Sequence, residues 1–176
     1  MKLYQFKIQL LHINPPIWRS FVVPSTLPLD SFHQVIQVVM GWENCHLYEF
    51  RIDSKAYVCD IDECPGALDC RKYKLEDVVK DKGAKIKYDY DFGDNWEHEI
   101  TLIDTDYVSY GPLGLYRCLD GKRACPPEDV GGPLGYEELC KAMKKPRSKK
   151  YAEYIDWLGK EYDSEYFNID ETSELL

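Results

Sequence analysis

Apolar and polar positions alternate from the start of the chain. Tyr4, Phe6, Ile8 and Leu10 fall on one face and Gln5, Lys7 and Gln9 on the other, which predicts a half-buried strand over residues 3–13. Asn14-Pro15-Pro16 breaks that period, because proline has no N–H and restrains the residue before it. Ile17 to Val23 then predicts a second strand, bounded by Pro24 and paired hairpin-fashion with the first. The period changes after Leu29. Phe32, Val35, Ile36 and Val39 continue at helical spacing, so a helix is predicted from a cap at Asp30 or Ser31 to Met40, stopped by Gly41. Residues 47–52 and 56–59 read as short strands around Asp53-Ser54, followed by a cysteine-bearing loop over 60–71 and a short helix over 74–80. The clearest hairpin pairs Ile86, Tyr88 and Tyr90 with Trp96, His98, Ile100 and Leu102. Its turn is Phe92-Gly93-Asp94-Asn95, where Gly93 and Asn95 tolerate positive φ.

Gly111, Gly114, Gly121, Gly131 and Gly132 mark residues 105–133 as turn-rich. Helices are predicted over 136–143 and 149–162, the second with Tyr151, Ile155 and Leu158 on one face. The chain thus divides into a strand-rich part (1–104), a turn-rich part (105–133) and a helical part (134–176). Strands come first and helices last, with no repeating βαβ unit. That order predicts one α+β domain over residues 1–176, with a largely antiparallel sheet, helices packed on it and a helical C-terminal part. A chain of 176 residues can bury a core of its own without staples.

Charge narrows the function classes. The net charge of -9 disfavours broad binding to phosphate backbones. A basic run at Lys141, Lys144, Lys145, Arg147, Lys149 and Lys150 could meet an anion locally, but its plainer reading is a solvated helix end and loop. No run of apolar residues is long enough to span a membrane, and Met1 to Leu11 does not read as a signal peptide. Seven cysteines without an export signal point to reduced thiols and a cytoplasmic setting.

The polar residues that could carry chemistry lie in three segments. Asp91, Asp94 and His98 surround the aromatic hairpin, and these types bind divalent metals or move protons. The plainer reading is that Asp94 shapes the turn and that His98 is a core histidine satisfied by a hydrogen bond, with a carboxylate as the natural partner. His33, on the first helix, and His46, just beyond it, could join Asp94 and His98 around a divalent transition metal. Each histidine could equally be an ordinary packed or capping residue. Pro126-Pro127-Glu128-Asp129-Val130-Gly131-Gly132 is stiff in front and permissive behind. It would present Glu128 and Asp129 to a ligand, or use one of them to cap the next helix. None of the cysteines forms a CxxC pair; Cys45 and Cys140 read as packing residues, and the alternative of a catalytic cysteine beside His46 has no supporting motif. No glycine motif that would cradle a phosphate cofactor is present, nor a serine nucleophile elbow. Tyr107, Tyr110 and Tyr116 are loop aromatics suited to a partner surface.

Four segments together resemble a known family. They are Pro15-Pro16-Ile17-Trp18-Arg19; Phe32-His33 with Gly41-Trp42 and His46-Leu47; Tyr88-Asp89-Tyr90-Asp91-Phe92-Gly93-Asp94-Asn95-Trp96-Glu97-His98; and Cys118 with Ala124 through Gly132. They are similar to the plasmid pRiA4b ORF-3-like family, from about Leu3 to Ile169. The resemblance implies a compact α+β domain, found alone or fused to other modules, sometimes in mobile elements, and it implies no established activity. This chain has Val130 where many relatives carry a cysteine, which weakens a cysteine-based metal site in that loop.

These observations predict a small binding module for an unidentified protein or small-molecule ligand. The alternatives are a metal-dependent, hydrolase-like enzyme built on a His/Asp cluster, and an association with nucleic acid that only the mobile-element context suggests.

Overall fold

The computed structural model describes residues 1–62, 64–108 and 114–176. Tyr110 and Gly111 lie outside them. The elements in chain order are β1 (Leu3–Leu10), β2 (Ile17–Pro24), α1 (Leu29–Met40), β3 (Tyr48–Ile52), β4 (Lys55–Val58), β5 (Leu68–Asp69), a 3-10 turn (Cys70–Lys72), α2 (Leu75–Val78), β6 (Lys85–Tyr90), β7 (Trp96–Asp104), β8 (Arg117–Lys122), α3 (Gly132–Met143), α4 (Lys149–Leu158) and α5 (Ile169–Glu174). The strands form one sheet in the order β5-β4-β3-β6-β7-β1-β2-β8. Every pairing is antiparallel except β4 with β5. The fold is therefore α+β with a mostly antiparallel sheet and helices towards the C-terminus.

Register explains the core. Phe50, Tyr88, His98, Leu10 and Ile17 lie opposite one another on consecutive strands, and all five are fully buried. Alternation puts their neighbours on the other face, where Lys87, Glu99 and Gln9 form the next row. Helix α1 covers the apolar face. Its Phe32 ring sits 5.0 Å from Phe6 and 5.9 Å from Phe50, between ring centroids. Burying one such side chain contributes roughly 2–3 kcal/mol.

Several local expectations change. Pro28, not Asp30 or Ser31, stands at the start of α1, and Asp30 lies in the first turn. In the β6–β7 turn, Asp91 (φ 55°) and Asn95 (φ 56°) take the left-handed backbone; Gly93 does not. The turn-rich segment contains a strand, β8, which pairs with β2. The end of the chain forms α5, capped by the Asn168 side chain and tied to β8 by Ser173 Oγ donating to Cys118 O at 3.2 Å. Cys59 and Cys70 are joined as a disulfide, where reduced thiols were expected. The β4–β5 pairing sets Val58 opposite Asp69, so the next residues of each segment meet with their Cα atoms 5.5 Å apart.

Arg19 ties the molecule together. It is 2% exposed, and its guanidinium donates to Val39 O (2.8 Å) at the end of α1. It also donates to Lys122 O (2.9 Å), at the end of β8, and to Arg123 O (2.7 Å), just beyond it. The Phe167 ring stacks on it at 4.1 Å. A buried cation of this kind is stable only when its N–H groups are satisfied, and here carbonyls at the ends of α1 and β8, with Trp18 O of β2 at 2.8 Å, satisfy them. Both arms that leave these points, residues 41–47 and 124–132, run to one end of the β3–β6 strand pair.

Candidate functional site

That end of the sheet is where His46 and Asp91 meet. β3 and β6 pair with Tyr48 opposite Tyr90. One step beyond, Asp91 N donates to Leu47 O at 2.9 Å, which puts His46 beside Asp91. The second arm docks from above. Asp94 Oδ2 accepts from Gly131 N at 3.0 Å, so the hairpin turn holds the loop. Gly132 has φ +67°, and a Cβ there would stand 2.6 Å from Asp94 O. Only glycine lets the loop come this close. The loop then delivers Glu128 and Asp129 to the same point.

Three carboxylates surround one imidazole nitrogen. His46 Nε2 lies 3.2 Å from Asp129 Oδ1, 3.6 Å from Asp91 Oδ2 and 3.8 Å from Glu128 Oε2. The second oxygen of two of these acids is already committed. Asp91 Oδ1 accepts from Gly93 N at 2.9 Å. Glu128 Oε1 accepts from Glu43 N at 2.8 Å and from the Tyr90 hydroxyl at 2.9 Å. The other oxygens point at His46. His46 Nε2 and Glu128 Oε2 are buried and have no hydrogen-bond partner in the protein. Asp91 and Glu128 have side chains 8% and 10% exposed, whereas Asp129 is 72% exposed and opens the group to solvent. Asp91 and Asp129 both hold φ near 55°. Non-glycine residues in this region cost about 1–2 kcal/mol, and such strain gathers at ligand sites. Burial raises the Tyr90 phenol, and Glu128 adds to the rise, so Tyr90 stays a proton donor to the acid.

The remaining expected residues lie elsewhere. His33 is 1% exposed and fully used. Gln37 Nε2 donates to the Tyr88 hydroxyl, which leaves that hydroxyl to donate to His33 Nδ1 at 2.8 Å. His33 Nε2–H then donates to Asn44 Oδ1 at 2.6 Å. This tautomer is the one that satisfies every member of the chain. His98 is fully buried, with Nδ1 donating to Tyr88 O at 3.2 Å and Nε2 facing Trp42 Nε1 at 3.4 Å. Its partner is a backbone carbonyl, not the carboxylate expected from the sequence. Burial pushes both imidazoles down to about 4, so both are neutral at pH 7. Neither has a ring nitrogen free for a metal. Asp94 Oδ2 holds Gly131 N, and Asp94 is not among the acids around His46. The four residues His33, His46, Asp94 and His98 therefore do not form a common metal sphere, and the donors that do converge are His46, Asp91, Glu128 and Asp129.

Two features escaped the sequence. Cys45 is exposed at the site and not a packing residue. Its Sγ falls within 4.8 Å of the His46 and Glu128 donor atoms. Arg19 was part of a recognised motif, but the only signal of its role was a cation inside a mostly apolar strand. Tyr116 is half-buried against the core, and Tyr107 is half-buried as well. Beside the site, Leu47 and Phe92 are exposed and line a cleft of 840 Å³ with Tyr48, Arg51, Ile61 and Arg71. Among the described residues, no helix is long and apolar enough to cross a membrane.

Three comparisons place the chain among known proteins. It is 41% identical over 175 residues to the uncharacterized protein y4hQ of Sinorhizobium fredii (strain NBRC 101917 / NGR234), covering 98% of this chain and 89% of that one. It is similar in structure to the crystal structure of MM3350, a protein of unknown function from Methanosarcina mazei Go1, with a TM-score of 0.87 and 34% identity over 97% of each chain. The sequence model of the plasmid pRiA4b ORF-3-like protein family matches residues 2–171. The chain belongs to the plasmid pRiA4b ORF-3-like family.

Proposed function

We propose that this protein is a small binding module that holds a divalent cation through His46, Asp91, Glu128 and Asp129. The observation that carries the reading is the pair of buried, unpartnered donor atoms, His46 Nε2 and Glu128 Oε2, aimed at one another across 3.8 Å. A buried nitrogen and a buried carboxylate oxygen, set beside two further carboxylates, are costly without a cation between them. One imidazole and three carboxylate oxygens suit zinc, manganese or iron.

Charge favours binding over hydrolysis. A dication among three carboxylates and a neutral imidazole leaves a group of net charge -1. An ion so well neutralised draws little charge from a bound water and acidifies it weakly, unlike an ion held by neutral histidines. The cleft beside Leu47 and Phe92 offers the module a ligand surface, with a volume usual for small-ligand sites.

The test is thermal unfolding of metal-stripped protein with and without zinc or manganese. A cation at one hundred times its dissociation constant stabilises by about 2.7 kcal/mol. The upshift is expected in the natural chain and in Asp60→Asn, and absent in His46→Ala and Glu128→Gln. An equal upshift in all four chains would rule the site out.

A further inference from the structure

The donor atoms at the site form two overlapping sets with a different chemistry. His46 with Asp91 and Asp129 offers one nitrogen and two oxygens. His46 with Cys45 and Glu128 offers nitrogen, sulphur and oxygen, again all within 4.8 Å of one another. The second set is built and not incidental. Cys45 N donates to the Tyr90 hydroxyl at 3.1 Å, and that hydroxyl donates to Glu128 Oε1 at 2.9 Å. One phenol therefore fixes both the cysteine backbone and the acid. Glu128 is nine-tenths buried, and its other oxygen has no partner in the protein. The thiol makes only a long 3.9 Å contact to the Tyr90 hydroxyl, so little holds it back from a new partner.

Resting on the cation reading above, we infer that Cys45 gives the site a thiophilic mode. Zinc or cobalt recruits Cys45 beside His46 and Glu128, while manganese or magnesium stays on His46 and the carboxylates of Asp91, Glu128 and Asp129. Thiolate prefers borderline and soft ions, carboxylate prefers hard ones, and imidazole serves both. In the thiophilic mode the Cys45 S–H bond breaks, the sulphur electron pair binds the ion and the proton leaves to solvent. No electron is transferred.

Cobalt(II) reports both parts separately. Metal-stripped, reduced protein titrated with cobalt should develop visible d–d bands together with a near-ultraviolet thiolate-to-cobalt charge-transfer band. Cys45→Ser should keep the d–d bands, lose the charge-transfer band and bind zinc at least tenfold more weakly, with manganese affinity unchanged. Cys64→Ser should behave as the natural chain. Visible bands without charge transfer in the natural chain would overturn the thiol mode and leave the cation site standing. No cobalt bands and no thermal upshift with any of the four ions would remove both.

Discussion

His98 and His46 each lie against a tyrosine of β6, Tyr88 and Tyr90 respectively, and they have opposite fates. His98 is 5.3 Å from the Tyr88 ring and His46 5.9 Å from the Tyr90 ring, between centroids. At His98 each ring nitrogen faces a group of the opposite hydrogen-bonding character, and the residue is closed off from water. At His46 three acids crowd one nitrogen and none of them bonds to it. The difference teaches that histidine content says little about a site. A histidine whose nitrogens are both used is a core residue. One left unfinished beside unfinished acids is available to a ligand.

The largest effect should separate the two in stability. His98→Ala leaves the Trp42 N–H unpaired beside a new cavity, and should cost about 3 kcal/mol in urea unfolding. His46→Ala, measured without metal, should stay within about 0.5 kcal/mol of the natural chain. Equal costs would break the comparison.

The second effect depends on pH. Folding lowers the His33 and His98 values from 6.5 to about 4. The unfolded chain therefore takes up protons first as pH falls. Their contribution is complete above pH 6.5, falls between 6.5 and 4, and is flat below. At pH 5 each histidine should cost about 2 kcal/mol relative to pH 8. His98→Gln should lose about half of that slope in urea titrations at the two pH values. An unchanged slope would mean that the core imidazole titrates normally.

A smaller effect should follow Asp94→Ala. Losing the bond to Gly131 N should cost about 1 kcal/mol and weaken cation binding by roughly tenfold, because the loop loses its anchor but keeps its donors. The smallest should come from Asp129→Asn. Relief of like charge should stabilise the metal-free protein by a few tenths of a kcal/mol at most, while calorimetric cation affinity falls.

Some of this contrast was legible in the sequence. Alternation placed His98 with Trp96 and Ile100 on a buried face, and the β6–β7 hairpin follows from the same period. β8 was missed because Gly121 and few apolar residues hide it, and pairing with β2 makes the strand. The convergence of Glu128 with His46 was not legible. It rests on contacts such as Glu43 with Glu128, 85 positions apart, which no local spacing encodes. Proline and glycine around Glu128 signalled a stiff, closely approaching loop, but not what it approaches.

Arg19 gives the two arms a common root. Residues 41–47 and 124–132 both depart from carbonyls held by that single guanidinium. If the root lets go, the arms should loosen in concert rather than one after the other. Backbone amides of Cys45 and Gly131 should then exchange with solvent deuterium at matched opening free energies, so that the pocket exists either whole or not at all.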